Sequence, residues 1–159
     1  MRIILILALM LLAPGCQYDP YAHLLTTVRP EPSEVVGRYT LVKQTVTAGD
    51  LAAMSDRLCV VELRADGTFS ASDVPQYAPG LPGASFLSTL VSAPGSWHVE
   101  SVGSVDDGWS AKNIWGVHLD SGSVRLQSAG LTGQKAPYGM IFTLGDPDSG
   151  QAMFLQRIK

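Results

Sequence analysis

The chain is short of charge, short of cysteine and lacks any apolar run long enough to cross a bilayer. Charged residues fill 16% of its 159 positions, where about a quarter is usual for a soluble domain. That shortage argues against long solvent-facing helices, and with 16 glycines and 10 prolines present it points to short strands joined by turns. Basic residues are scarce too: the net charge is −3 and the longest basic cluster is Gln156-Arg157-Ile158-Lys159. A mildly acidic chain without a basic stripe has no electrostatic footprint for nucleic acid. Two cysteines, Cys16 and Cys59, are too few for a disulfide framework. No Gly-x-Ser-x-Gly elbow, Gly-x-Gly-x-x-Gly turn or phosphate loop occurs, so no motif for nucleophilic hydrolysis or nucleotide binding is present.

The longest apolar run covers residues 3–13 and follows Met1-Arg2. It is about half the ~20 residues a spanning helix needs, and it matches the apolar segment of a secretory signal over residues 1–15. The run ends in Leu12-Ala13-Pro14-Gly15-Cys16, which resembles the lipobox of bacterial lipoproteins. The resemblance implies that the Cys16 thiol receives a diacylglyceryl group and that cleavage leaves Cys16 as the first residue. In that family a residue other than Asp after the cysteine, here Gln17, goes with outer-membrane sorting in enteric bacteria. The expected location is the cell envelope, with the partner membrane reached through lipid. Ala13-Pro14-Gly15 also fits an ordinary secretory site cut at the same bond; Cys16 would then be free to pair with Cys59 in an oxidising compartment.

Residues 17–33 show no period of 2 or 3.6, and Pro20, Pro30 and Pro32 interrupt them. They read as a semi-extended linker in a lipidated N-terminus of residues 16–33, with Tyr18, Tyr21, Leu24 and Leu25 as the side chains able to pack on a domain instead. From residue 34 to 159 the pattern is one of about eight short antiparallel strands, the signature of a sandwich or barrel. One or two short helices are expected, near residues 51–56 after Thr47 and Asp50, and where Phe86, Leu87, Leu90 and Val91 fall at helical spacing.

The clearest local signal is residues 58–72. A two-residue Asp66-Gly67 turn would put Leu63 opposite solvent-facing Ser70. A three-residue turn with Gly67 in the left-handed region instead sets Leu63 opposite Phe69 and Val61 opposite Ala71, which separates core from solvent cleanly. Further strands are expected over residues 95–102 and 114–119, at Val124 and Leu126, over 140–144 and over 153–158. Gly37-Arg38-Tyr39 is similar to the Gly-x-Trp opening strand of lipocalins, with Tyr in place of Trp, and Gly95-Ser96-Trp97 has the same look. That resemblance implies a lipocalin-like barrel, closed or half open, that encloses a small apolar ligand. Eight strands suffice either to fill with side chains or to hold one such ligand.

The candidate ligand or partner contacts are Trp97 and Trp115, expected to face inward, and Tyr77, Phe86 and Leu87 in a proline-rich excursion whose length suits a functional loop. His98 and His118 fall on the opposite face. If 99 lies opposite 117 they become cross-strand neighbours with Glu100 nearby, a set with zinc-binding chemistry, although histidines on an outer face are common. Asp146-Pro147-Asp148-Ser149-Gly150 fails the calcium-loop pattern, since Gly stands fifth and Arg157 takes the twelfth place. No metal, cofactor or catalytic residue is therefore expected. Three readings remain: a lipid-anchored envelope protein that binds a small apolar molecule, an interaction or inhibitor module with a packed core, and an enzyme whose site only the fold assembles.

Overall fold

The computed structural model describes residues 19–46, 59–76, 90–106 and 110–158. Among them eight antiparallel strands close into a barrel in simple chain order. They are β1 (Gly37–Gln44), β2 (Val60–Leu63), β3 (Thr68–Pro75), β4 (Leu90–Asp106), β5 (Ala111–Asp120), β6 (Ala129–Thr132), β7 (Gly139–Thr143) and β8 (Ala152–Ile158). Closure by β1 against β8 removes the exposed edges that an open sheet would present.

Hydrophobic alternation dictates which way each strand faces. In β2 and β3, Val61 and Leu63 pair with Ala71 and Phe69, and all four are buried. Their turn is the three-residue form: Arg64 N–H donates to Thr68 O at 2.9 Å, and Gly67 takes φ 81. Asp66 fixes the turn by accepting from the amide (2.9 Å) and hydroxyl (2.7 Å) of Thr68. Those two bonds hold its carboxyl below the usual range. In β4 and β5, Trp97 pairs with Leu119 and Val99 with Val117 on the inner face, while His98 pairs with His118 outside. Gly95 is required for this approach. A Cβ there would collide with the Asp120 carbonyl and the Phe69 ring.

Among the described residues the centre of the interior is closely packed: Tyr39, Val61, Phe69, Val117, Leu131 and Phe142 are all 0% exposed. Tyr39 also donates its hydroxyl to Val35 O at 2.6 Å, and burial pushes its phenol up to about 12 despite the nearby Arg157. The Cys59 thiol is buried and free; burial, then the charge of Asp73, push it up to about 12.

Four features depart from the sequence reading. The first strand begins at Gly37, because Pro32–Val35 form a helical turn, α1. Pro32 opens that turn where a missing N–H is harmless, and Glu31 and Glu34 cap each other reciprocally. Leu90 and Val91 belong to β4, a strand of 17 residues, and not to a helix. Pro94 is accommodated because β4 there pairs with β3 alone, an edge position. The sixth strand is Ala129–Thr132, whereas Arg125 and Leu126 make only isolated bridges to Asp120 and Gln76. The helix expected near residues 51–56 lies outside the described residues.

The fourth departure concerns the expected spacer: from Asp19 onward the chain lies against the barrel, as the alternative of Tyr21 and Leu25 packing on the domain has it. Tyr21 donates its hydroxyl to Gly150 O at 2.6 Å and sets its ring edge-on against Phe154 at 5.0 Å. Leu25 bridges Thr132, Thr26 N–H donates to Leu131 O, and Trp115 N–H donates to Thr26 O, both at 2.9 Å. The strap thus fills the seam below Gly116 and Gly130, where direct β5–β6 pairing ends. Beneath it lies a second apolar cluster on the barrel's outer face, formed by Leu25, Ile114, Ile141 and Ala152. The strap then passes through buried Pro30 and α1 to reach β1.

Candidate functional site

The sequence candidates separate once placed in the fold. Cys16, Tyr77, Phe86 and Leu87 lie outside the described residues. Trp97 is 7% exposed and donates its indole N–H to Arg64 O at 2.9 Å, so both its face and its polar edge serve the fold. Trp115 is half-buried, and the Arg29 guanidinium stacks over its ring at 5.1 Å, a cation–π contact that covers its outer side. Both tryptophans pack on the main core, Trp97 within it and Trp115 against it.

The histidine pair is real. The rings of His98 and His118 stand 5.1 Å apart, and Glu100 reaches both: its Oε2 lies 3.4 Å from His98 Nε2 and its Oε1 lies 3.1 Å from His118 Nδ1. His118 Nδ1 also meets the Ser128 hydroxyl at 3.1 Å. The carboxylate is shared between two imidazoles that approach different oxygens. Among the described residues no group of three or more such side chains is arranged to hold a metal ion. The arrangement works as a hydrogen-bonded patch on an open sheet face. The turn at 145–150 is likewise structural: Ser149 N–H donates to Asp146 O at 2.9 Å.

What the sequence did not reveal is a groove on the outer wall. It has a volume of about 640 Å³ and runs between the strap, β1, β8 and the segment entering β7. Its origin is a break in pairing. The β7–β8 ladder ends at Met140 opposite Leu155, while β8 continues to Ile158 against β1. Past Leu155, β8 therefore has no strand partner on the β7 side among the described residues. Pro137, Tyr138 and Gln134 face it across the gap. The groove contains two of the large apolar side chains that stay exposed, Leu24 at 37% and Val42 at 53%. Phe154 forms part of the wall, with the Lys43 ammonium 5.6 Å from its ring centre. Arg157 lies at the end nearest α1 and donates to Glu34 O at 3.1 Å. Tyr138 is buried behind it; burial and, next, the charge of Glu34 push its phenol up.

Chemically this groove offers an apolar floor, amide side chains in Gln134 and Gln156, one guanidinium, and an unpaired length of strand. The described helices are short, and none is long and apolar enough to cross a membrane.

No protein-family model, no curated protein and no solved structure matches this chain.

Proposed function

We propose that this chain is a non-enzymatic, lipid-anchored protein of the bacterial cell envelope, and that it works by binding an extended polypeptide segment in its outer groove. The single observation that carries the binding half is the broken β7–β8 ladder beside exposed Leu24 and Val42. A strand edge that ends its own pairing inside an apolar groove offers both elements of β-augmentation. Main-chain groups supply affinity, and pockets for alternate side chains supply specificity. The anchor half is supported by the apolar run of residues 3–13 and the Leu12-Ala13-Pro14-Gly15-Cys16 sequence, which resembles a lipobox. Against an internal small-molecule site stands the closed packing of Tyr39, Phe69 and Phe142, each 0% exposed.

A peptide-display selection against the purified, processed chain tests the reading. Selected peptides should lose binding to a Val42→Asp variant and keep it to a Ser123→Asp control on a distant turn. Methylating alternate backbone amides of a selected peptide should also abolish binding, because a strand-like ligand needs those N–H groups. Two results overturn the reading: peptides indifferent to Val42→Asp, or a small molecule whose mass accompanies the native protein and leaves on denaturation.

A further inference from the structure

We infer that the segment taken by the groove carries an acidic side chain, and that the Arg157 guanidinium recognises it. The inference rests on the peptide-groove reading above and names the chemistry of the partner. It starts from a contrast of charge. The chain as a whole is acidic, at −3, yet no Asp or Glu lines the groove, whereas Arg157 and His23 both do. The Lys43 ammonium stands over the Phe154 ring of the same wall, 5.6 Å from its centre. A concave apolar surface with cationic groups and no acid favours a partner of negative charge.

Arg157 is held in a way that leaves its charge unanswered. Its side chain lies against Gly37, where a Cβ would collide with Nε, and Nη1 donates to Glu34 O at 3.1 Å. A glycine and a carbonyl position the guanidinium, and neither neutralises it. The charge of Glu34 reaches Tyr138, but its carboxylate accepts the Glu31 N–H at 3.0 Å within the α1 cap. Among the described residues Arg157 makes no ion pair, and it is exposed. A planar guanidinium fixed along one edge matches the two oxygens of a carboxylate.

The register gives the spacing. Val42 stands beside Leu155 and Phe154 in the β1–β8 ladder, two or three positions from Arg157, which is about 7–10 Å along a strand. The expected partner is an extended segment with an apolar residue for Leu24 and Val42 and an Asp or Glu two or three positions away. Because β8 runs on to Ile158, Arg157 lies within the free edge, so the carboxylate belongs to a side chain inside the docked segment and not to a chain end. A second copy of β8 is a poorer occupant. The strand contains no acid, and self-pairing across its free edge would bring two guanidiniums together.

The test is a heptapeptide phage-display selection in which each peptide is fused through its C-terminus, so that only side chains offer carboxylates. It is run in parallel on the processed chain and on Arg157→Glu. The expected result is enrichment of Asp or Glu at one fixed distance from an apolar residue on the parent, and of Lys or Arg at that place on Arg157→Glu. Amidated synthetic copies then give Kd by fluorescence anisotropy. Exchanging the acid for its amide should weaken binding to the parent about fivefold, as for an exposed pair of good geometry, should make no difference to Arg157→Gln, and should keep its fivefold effect on Lys43→Gln. Thermal melts accompany every variant, because Arg157 also holds Glu34 O. Should Arg157→Glu melt early, His23→Glu, at an exposed groove position, takes its place and should weaken the acidic peptide more than its amide. Peptides that need Val42 but show no acidic preference, or a preference that survives Arg157→Gln, overturn this inference alone. A selection that enriches no peptide overturns the peptide reading and this inference together.

Discussion

Leu24 and Leu25 are neighbours in the chain, and the fold assigns them opposite fates. Leu25 is 6% exposed and packs under the strap with Ile114, Ile141 and Ala152. Leu24 is 37% exposed and lies in the groove. Truncating a buried Leu to Ala costs about 2–5 kcal/mol, the transfer of its methyl groups plus the cavity left behind. Leu25 lies in a thin outer cluster that can partly collapse, so the lower part of that range, about 2–3 kcal/mol, is expected. For a chain of this length, 1 kcal/mol moves Tm by roughly 4 °C, so Leu25→Ala should melt about 10 °C below the parent. Leu24→Ala should stay within about 0.5 kcal/mol, as surface changes usually do. Urea unfolding followed by tryptophan fluorescence gives both values, and an unchanged slope shows that the same surface is exposed each time. The strap is wall only if the two variants differ. Equal and negligible effects would mean that residues 19–26 are a free spacer, and the seam between β5 and β6 would need another explanation.

Three further outcomes follow from the same structure. Gly95→Ala drives a methyl into the Asp120 carbonyl and the Phe69 ring; overpacking of this kind costs about 1–3 kcal/mol, measurable by the same urea titration, whereas Gly122→Ala meets no neighbouring atoms and is strained only by φ 70. Cys59 and Tyr39 are each raised to about 12 from ordinary values of 9.0 and 10.0. A raised pKa means that the folded state holds the proton more tightly, so the stability it contributes is complete below pH 9 and is lost as pH climbs from about 9 toward 12. Unfolding midpoints across that window should fall, less steeply in Cys59→Ala, and Cys59 should resist iodoacetamide at pH 8 until denaturant is added. Cys16→Ser should release the protein from membranes, since a single lipidated site is the proposed anchor; continued sedimentation of that variant with the membrane fraction would refute the tether.

The β2–β3 hairpin was legible because only one register separates Leu63 and Phe69 from Arg64 and Ser70. In β4 and β5 the sequence showed which residues share a face, Trp97 with Val99 and Trp115 with Val117, but the pairing of 99 with 117 was only assumed there and is supplied by the structure. Where reading failed, a local rule met a tertiary exception. Pro32 reads as a breaker, yet at the first position of a helical turn it is favourable. Val124 and Leu126 look more strand-like than Ala129-Gly130-Leu131-Thr132, but a strand of four residues carries too little period to be seen. Gly130 is suited to its place because Leu25 Cδ2 comes within 3.3 Å of where a Cβ would stand. That is a reason supplied by a segment more than 100 positions away, as are the contacts that make the strap a wall.

The groove was illegible for a deeper reason. Its lining residues, His23, Val42, Gln134 and Arg157 among them, follow no spacing that marks a site; the groove comes from a break in pairing, where β7 leaves β8 at Met140 while β1 stays paired with β8 to Ile158. Periodicity can say which residues face out, but not where two strands part. The strap ties this gap to the rest of the protein. Leu25 and Thr26 are held in the seam by backbone bonds to β5 and β6, and the preceding His23 and Leu24 are thereby left as one side of the groove. Gln134 extends the tie from the other side, donating to Leu25 O at 2.7 Å and accepting from the Thr27 hydroxyl at 3.1 Å. A ligand in the groove would therefore touch, through two consecutive residues, the same segment that leads to Cys16. Loosening the strap removes one side of the groove as well as part of the barrel wall, so Leu25→Ala should weaken peptide binding although Leu25 does not line the site, whereas Leu24→Ala should weaken binding while leaving stability intact. That crossed pattern separates a residue that builds the surface from one that presents it.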